Sequence, residues 1–155
     1  MRATEDTMQV VIFFLGDIEF GVDILQVREI ERHIAATRVP RVPDYIEGVI
    51  NLRGQLVPVV DLRSRLGMRA KPPTKDTRII VAQLGERRIG MTVDRVREVT
   101  RIPVEHIEAK RSLLAGLEAE YVARLARIDN RVVILLAVDK ILAAGSFSDA
   151  DKERS

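Results

Sequence analysis

Apolar residues in this chain fall in short, dense runs: Val10-Val11-Ile12, Ile79-Ile80-Val81, Leu56-Val57-Pro58-Val59-Val60 and Val132–Val138. All are rich in β-branched residues and have strand length, well short of the roughly 20 residues that span a bilayer. The run ending at Leu15 meets Gly16-Asp17 and then an alternating stretch, which predicts a strand, a tight turn and a return strand. The same signal recurs around Gly85-Glu86. Helical patterning is confined to short stretches after Asp61 and Asp139. Each aspartate is expected to cap the first N–H groups, and Gly67 and Gly145 are expected to end the helices in the left-handed conformation. Pro43 fits the first position of a further short helix over 43–47, and Pro58 marks a sheet edge or a bulge. Many short strands with few short helices predict a mainly β fold of small barrels, not a parallel sheet with crossover helices.

The pattern also repeats. Leu15-Gly16 and Gly21 have counterparts in Leu84-Gly85 and Gly90, and Val27-Arg28-Glu29-Ile30 returns as Val96-Arg97-Glu98-Val99. Tyr45-Ile46 matches Tyr121-Val122, and the turns Arg53-Gly54-Gln55 and Asp129-Asn130-Arg131 each lead into an apolar run. Asp61 and Gly67 are matched with Asp139 and Gly145. Chance does not readily place so many matches in one order, so the chain is expected to hold two related halves, about 8–68 and 77–143, within one domain spanning 8–143. Lys71-Pro72-Pro73-Thr74-Lys75 reads as the linker between them, and 1–7 and 146–155 as flexible termini.

Composition narrows the function. With 155 residues, 46% apolar and 31% charged, the chain is expected to fold around an aliphatic core, since aromatics are only 4%. The net charge of +2 is close to balance, and the arginines are scattered singly among acids. A small-barrel nucleic-acid-binding module is the alternative reading, but it would need clustered cations and exposed aromatics for stacking. No cysteine is present, which removes disulfides, thiolate metal sites and a cysteine nucleophile together. His33 and His106 lack the spacing of a metal site and are expected at the surface, and the serines form no nucleophile elbow. Gly16…Gly21 and Gly85…Gly90 lack the Lys-Ser/Thr of a phosphate loop and read as turn and strand glycines. No catalytic residue, metal or cofactor is therefore expected. A polar start without a signal core points to the cytoplasm, and the polar and charged ends favour a stand-alone protein.

What remains looks like an interface. Alternation would place Val27 and Glu29 on one face of a strand, and Gly48–Gly54 brings Arg53 to a turn. The string Glu47-Gly48-Val49-Ile50-Asn51-Leu52-Arg53-Gly54, followed by Val57-Pro58-Val59-Val60-Asp61-Leu62, resembles the signature of the CheW family of chemotaxis coupling proteins. Phe20–Ile30 and Asp129–Leu142 are similar to other parts of that family, so the resemblance covers roughly 8–143. It implies two five-stranded SH3-like barrels sharing a core. It also implies a non-enzymatic adaptor that bridges chemoreceptors to the regulatory domain of a histidine autokinase, recruited to membrane arrays through its partners rather than by insertion. Carried over by position, the receptor-binding residues would be Val27, Glu29, Gly48, Asn51 and Arg53, with Gly48 letting a receptor helix approach the backbone. The kinase-binding residues would be Val11, Val22 and Leu25, joined by Leu113 and Leu114. Arg124 departs from the family's glycine, which puts the backbone geometry at that point in question.

Overall fold

The structure is a computed structural model that describes residues 6–109 and 119–144. The strands are β1 (Thr7–Leu15), β2 (Ile18–Asp23), β3 (Val27–Arg32), β4 (Ile46–Leu52), β5 (Gln55–Asp61), β6 (Arg78–Leu84), β7 (Arg87–Val93), β8 (Arg95–Pro103), β9 (Ile107–Ala109), β10 (Val122–Ile128) and β11 (Arg131–Leu136). Two short helices, α1 (Leu62–Arg65) and α2 (Val138–Ala144), follow β5 and β11. The fold is mainly β, built as two SH3-like barrels. One is a five-stranded sheet ordered β3-β6-β7-β5-β4, the other the same pattern plus a short sixth strand, β8-β1-β2-β11-β10-β9.

Neither sheet is a sequence half. The five-stranded sheet takes β3, β4 and β5 from the first half and β6 and β7 from the second, and the six-stranded sheet does the reverse. Exchanging β1-β2 for β6-β7, β8 for β3, β11 for β5 and β10 for β4 converts one strand order into the other. β1 to β5 thus have counterparts in β6, β7, β8, β10 and β11, β9 having none, and each barrel is completed by a hairpin from the other part of the chain. The joining ladders are parallel: Leu135 pairs with Gly21, and Val59 with Gly90. Both glycines are required there by packing. A Cβ on Gly21 would lie 2.5 Å from Val10 Cγ1, and one on Gly90 would lie 2.9 Å from Ile79 Cγ2.

This exchange explains the dense apolar runs. Val10 and Ile12 face a cluster inside the six-stranded sheet, with Ile102, Val133 and Leu135. Ile79 and Val81 face the equivalent cluster of the five-stranded sheet, with Ile50, Val57 and Val59. The alternate residues, Val11, Phe13, Ile80 and Ala82, enter a shared core between the sheets with Phe20, Met91, Leu136 and Ile141. Strands buried on both faces lose polar alternation and read as continuous apolar runs.

Helix ends follow expectation in part. Gly67 (φ 83°) ends α1, with Met68 N–H donating to Arg63 O at 2.7 Å and Gly67 N–H to Ser64 O at 3.1 Å, a Schellman closure. Asp61 does not cap α1; its carboxylate accepts from Ser64 Oγ at 3.0 Å. Nor is Asp139 its counterpart. Asp61 N–H donates to Tyr45 O and Ala137 N–H to Tyr121 O, so the repeat offset stays at 76 and Asp139, inside α2, matches Arg63. Gly145 lies outside the described residues. The helix expected over 43–47 is only a turn, closed by Ile46 N–H donating to Pro43 O at 3.0 Å, because β4 begins at Ile46. Pro58 stands on an interior strand, one residue before the β5–β7 ladder begins at Val59, so its missing N–H costs no ladder bond to β7.

Candidate functional site

The site forms where β3 meets the β4–β5 hairpin. Leu52 pairs with Gln55, leaving Arg53-Gly54 as a two-residue turn with φ of 51° and 86°. Positive φ at both central positions is the hairpin geometry that fits the twist of the flanking strands, but it is unfavourable for an arginine. Asn51 Oδ1 accepts the Gly54 N–H at 2.8 Å and holds the turn. Arg53 is thereby projected across the sheet to β3, where its guanidinium pairs with Glu29 and lies 3.6 Å from Glu31. The Arg53 side chain is still 67% exposed, against 19% for Glu29, so much of the guanidinium remains open to a partner. Hydrogen bonding with Glu31 and then with Arg53 holds the Glu29 carboxyl below the usual carboxylate range, and the same bond pushes Glu31 up. Bonding to Glu29 raises Arg53, which stays cationic throughout.

Two bulges change the expected arrangement. Val27 pairs with Ala82 but Glu29 with Val81, so Arg28 is an extra residue in β3. Val27 therefore shares the face of Ala82 and packs on the shared core, while Glu29 shares the opposite face with Val81; they are not on one face as alternation predicts. Arg28 Nη1 donates to Gln83 Oε1 at 3.2 Å. The second bulge lies between Ile46 and Gly48. Gly48 has φ 144°, and a Cβ there would stand 2.0 Å from Thr37 O. The chain's own segment occupies that space: Thr37 and Val49 exchange backbone hydrogen bonds of 2.8 and 2.9 Å. Gly48 thus admits Thr37 rather than an incoming helix. The repeat places an equivalent bulge between Val122 and Arg124, which is built without positive φ at Arg124.

Of the expected receptor contacts, the structure brings Glu29, Asn51 and Arg53 together, sets Val27 at the junction of the sheets, and covers Gly48. It also adds Glu31, which alternation from Glu29 could have flagged. Among the expected kinase contacts, Val11 and Val22 are corrected. They pair with each other on β1 and β2 and are 0% and 1% exposed in the shared core, out of reach of any partner. Leu25 is 88% exposed. Leu113 and Leu114 lie outside the described residues. Leu56 and Val132, repeat counterparts at the strand starts after the two turns, are exposed apolar residues that the sequence reading passed over. His106 is exposed as expected, but His33 is half-buried, in a polar cavity of about 230 Å³ with Glu47, Asp61, Arg63, Thr92 and Asp94.

That cavity contains a latch between the sheets. Arg63 donates from Nε and Nη2 to Asp94 at 2.9 and 2.6 Å, and Asp94 also accepts the Gly16 N–H at 2.6 Å. The α1 helix after β5 is so tied to the β1–β2 turn of the other sheet. Burial pushes the Asp94 carboxyl up, but the Arg63 and Gly16 hydrogen bonds outweigh it and hold it below the usual range. Glu47 has no such cation among the described residues, and burial pushes its carboxyl up, with Thr92 opposing the rise and Asp61 adding to it. Among the described residues, no group of three or more His, Cys, Asp or Glu is placed to hold a metal ion, and no helix is long and apolar enough to cross a membrane.

Comparison with known proteins bears on this geometry. The CheW-like domain family matches residues 9–146. The chain is 36% identical over 141 residues to the chemotaxis protein CheW of Klebsiella aerogenes, covering 91% of this chain and 85% of that protein. It is also 36% identical over 138 residues to the chemotaxis protein CheW of Rhizobium meliloti, covering 89% of each. The crystal structure of the scaffolding protein TtCheW from Thermoanaerobacter tengcongensis superposes with a TM-score of 0.80 at 32% identity, covering 85% of this chain and 90% of that one.

Proposed function

The chain belongs to the CheW-like domain family, and from that premise we propose that it is a chemotaxis scaffold that couples receptor tips to the regulatory domain of a histidine kinase without catalysing a reaction. The observation that carries this reading is Arg53: an exposed cation in left-handed backbone, positioned by Asn51 and aimed by Glu29. Backbone strain at a charged turn residue is maintained where the surrounding structure over-determines it, commonly at a binding site. The receptor surface would comprise Arg53, Glu29 and the neighbouring junction at Val27. Asn51 would serve it by holding the turn. The kinase surface would include the exposed Leu25 and exclude Val11 and Val22. Such a protein would work in the cytoplasm and join arrays through its partners.

The test is calorimetric titration of the purified chain with two ligands separately: a soluble receptor cytoplasmic fragment and a kinase regulatory domain. Saturable binding of both, with Arg53→Glu lowering only the receptor affinity, is the expected result. Failure of both at about 100 μM protein, where only millimolar interactions escape, would overturn the coupling role.

A further inference from the structure

Each half carries one tyrosine just before its last hairpin, and the two meet around a single arginine. Tyr45 precedes β4 of the five-stranded sheet, and Tyr121 immediately precedes β10 of the six-stranded sheet. The guanidinium carbon of Arg65, at the end of α1, lies 4.0 Å from the Tyr45 ring centroid and 4.5 Å from that of Tyr121. Both rings are anchored by equivalent backbone bonds. Tyr45 O accepts from Asp61 N–H at 2.7 Å and Tyr121 O from Ala137 N–H at 2.8 Å, each tying its tyrosine to the residue just before the helix that follows the adjacent strand. Arg65 Nε is buried and has no hydrogen-bond partner, so the ring faces are what compensate that part of the cation. Tyr121 is pushed up to about 12 by burial and by its bond with Glu120, which keeps the ring neutral at any working pH. Among the described residues the arrangement is not repeated: at the repeat offset of 76, the counterpart of Arg65 is Ile141, fully buried in the shared core.

We infer that Arg65 is a positioning residue that locks the five-stranded sheet against the six-stranded sheet by clasping one tyrosine from each. The lock bears directly on the hairpin that carries the candidate site, because Tyr45 leads straight into β4, and β4 leads into the Arg53 turn. A relative rotation of the sheets would shift Arg53, Glu29 and Val27 together with respect to the six-stranded sheet. Its effect on receptor binding rests on the function proposed above; the lock itself does not.

The chain has no cysteine, so Asp17→Cys and Glu86→Cys, in the exposed and equivalent turns of the two sheets, take spin labels at those sites alone. Pulsed distance measurement should give one narrow distribution in the otherwise unchanged protein. Arg65→Met, which keeps the stem but removes the cation, should at least double its width, and Arg65→Lys should restore it. Should Arg65→Met not fold, Tyr45→Leu should broaden the distribution while Tyr45→Phe, which keeps the ring, should not. A narrow distribution in folded Arg65→Met, or in folded Tyr45→Leu, overturns the lock. Receptor-fragment affinity measured on the same variants should fall about tenfold with the broadening. A broadened distribution with unchanged affinity would leave the lock standing and overturn the proposed receptor surface instead.

Discussion

Glu29 and Arg53 join the two strands that stand furthest apart in the five-stranded sheet: β3 begins its order, β4 ends it, and the ion pair spans the seam from the turn after β4. An exposed ion pair contributes little to stability, which supports the proposal that the left-handed arginine serves partner recognition rather than folding.

Arg53→Gly separates those two roles. Glycine adopts the turn without the left-handed penalty of roughly 1–2 kcal/mol, offset by about 0.5–1 kcal/mol of extra chain entropy. Thermal unfolding should show unchanged or slightly raised stability, while receptor-fragment titration should show at least a tenfold loss. A charge-swapped Glu29→Arg/Arg53→Glu variant should recover the fold but not the binding.

Gly48→Ala should be among the most damaging small substitutions. The new Cβ would meet Thr37 O at 2.0 Å, and backbone cannot yield as a flexible side chain does. A loss of about 3 kcal/mol or more is expected, in the range reserved for overpacking and backbone strain. Hydrogen exchange should show early loss of protection at the Thr37 and Val49 amides, and protection left intact would contradict this account.

The two half-buried carboxylates beside the polar cavity should respond to pH in opposite directions. Asp94 is held below the usual range, so its contribution is present at neutral pH and is lost as pH falls through its lowered folded value. Asp94→Asn should therefore cost about 2–3 kcal/mol near pH 7, discounted from a fully buried pair, and the difference from wild type should shrink below about pH 4. Glu47 is raised, so its contribution is present at low pH and is lost as pH rises through its raised folded value. Glu47→Gln should raise the urea midpoint at pH 7 and leave it unchanged near pH 4. A parallel response of the two variants across pH would refute the assignment.

Val22→Asp and Leu25→Asp, three residues apart, should behave as different classes of change. Val22 is 1% exposed in the shared core, and an unpaired carboxylate there should unfold the protein, a loss above about 4 kcal/mol. Leu25 is 88% exposed, so its substitution should change stability by no more than about 0.5 kcal/mol and weaken kinase-domain binding alone. Circular dichroism and titration of both variants decide the point.

The chain's local chemistry was legible from its residues because it is short-range. Gly16-Asp17 and Arg53-Gly54 had to be turns, Gly67 had to end a helix, and the corresponding strings in the two halves had to build corresponding strands. The resemblance of Glu47–Gly54 pointed to Glu29, Asn51 and Arg53, which do meet. Tertiary structure alone decided the rest, because each remaining feature depends on pairings between residues far apart in the chain. Which hairpin completes which barrel is set by the Leu135–Gly21 and Val59–Gly90 pairs. That exchange buries both faces of β1, and so turns Val11 and Val22 from candidate contacts into core. The extra residue at Arg28 shows only in the register against β6, where it turns Val27 and Glu29 to opposite faces. The space over Gly48 was filled from eleven residues upstream, and Arg65 found its two tyrosines only when the sheets came together. A hydrophobic period says that a strand is buried; only its neighbours say what buries it.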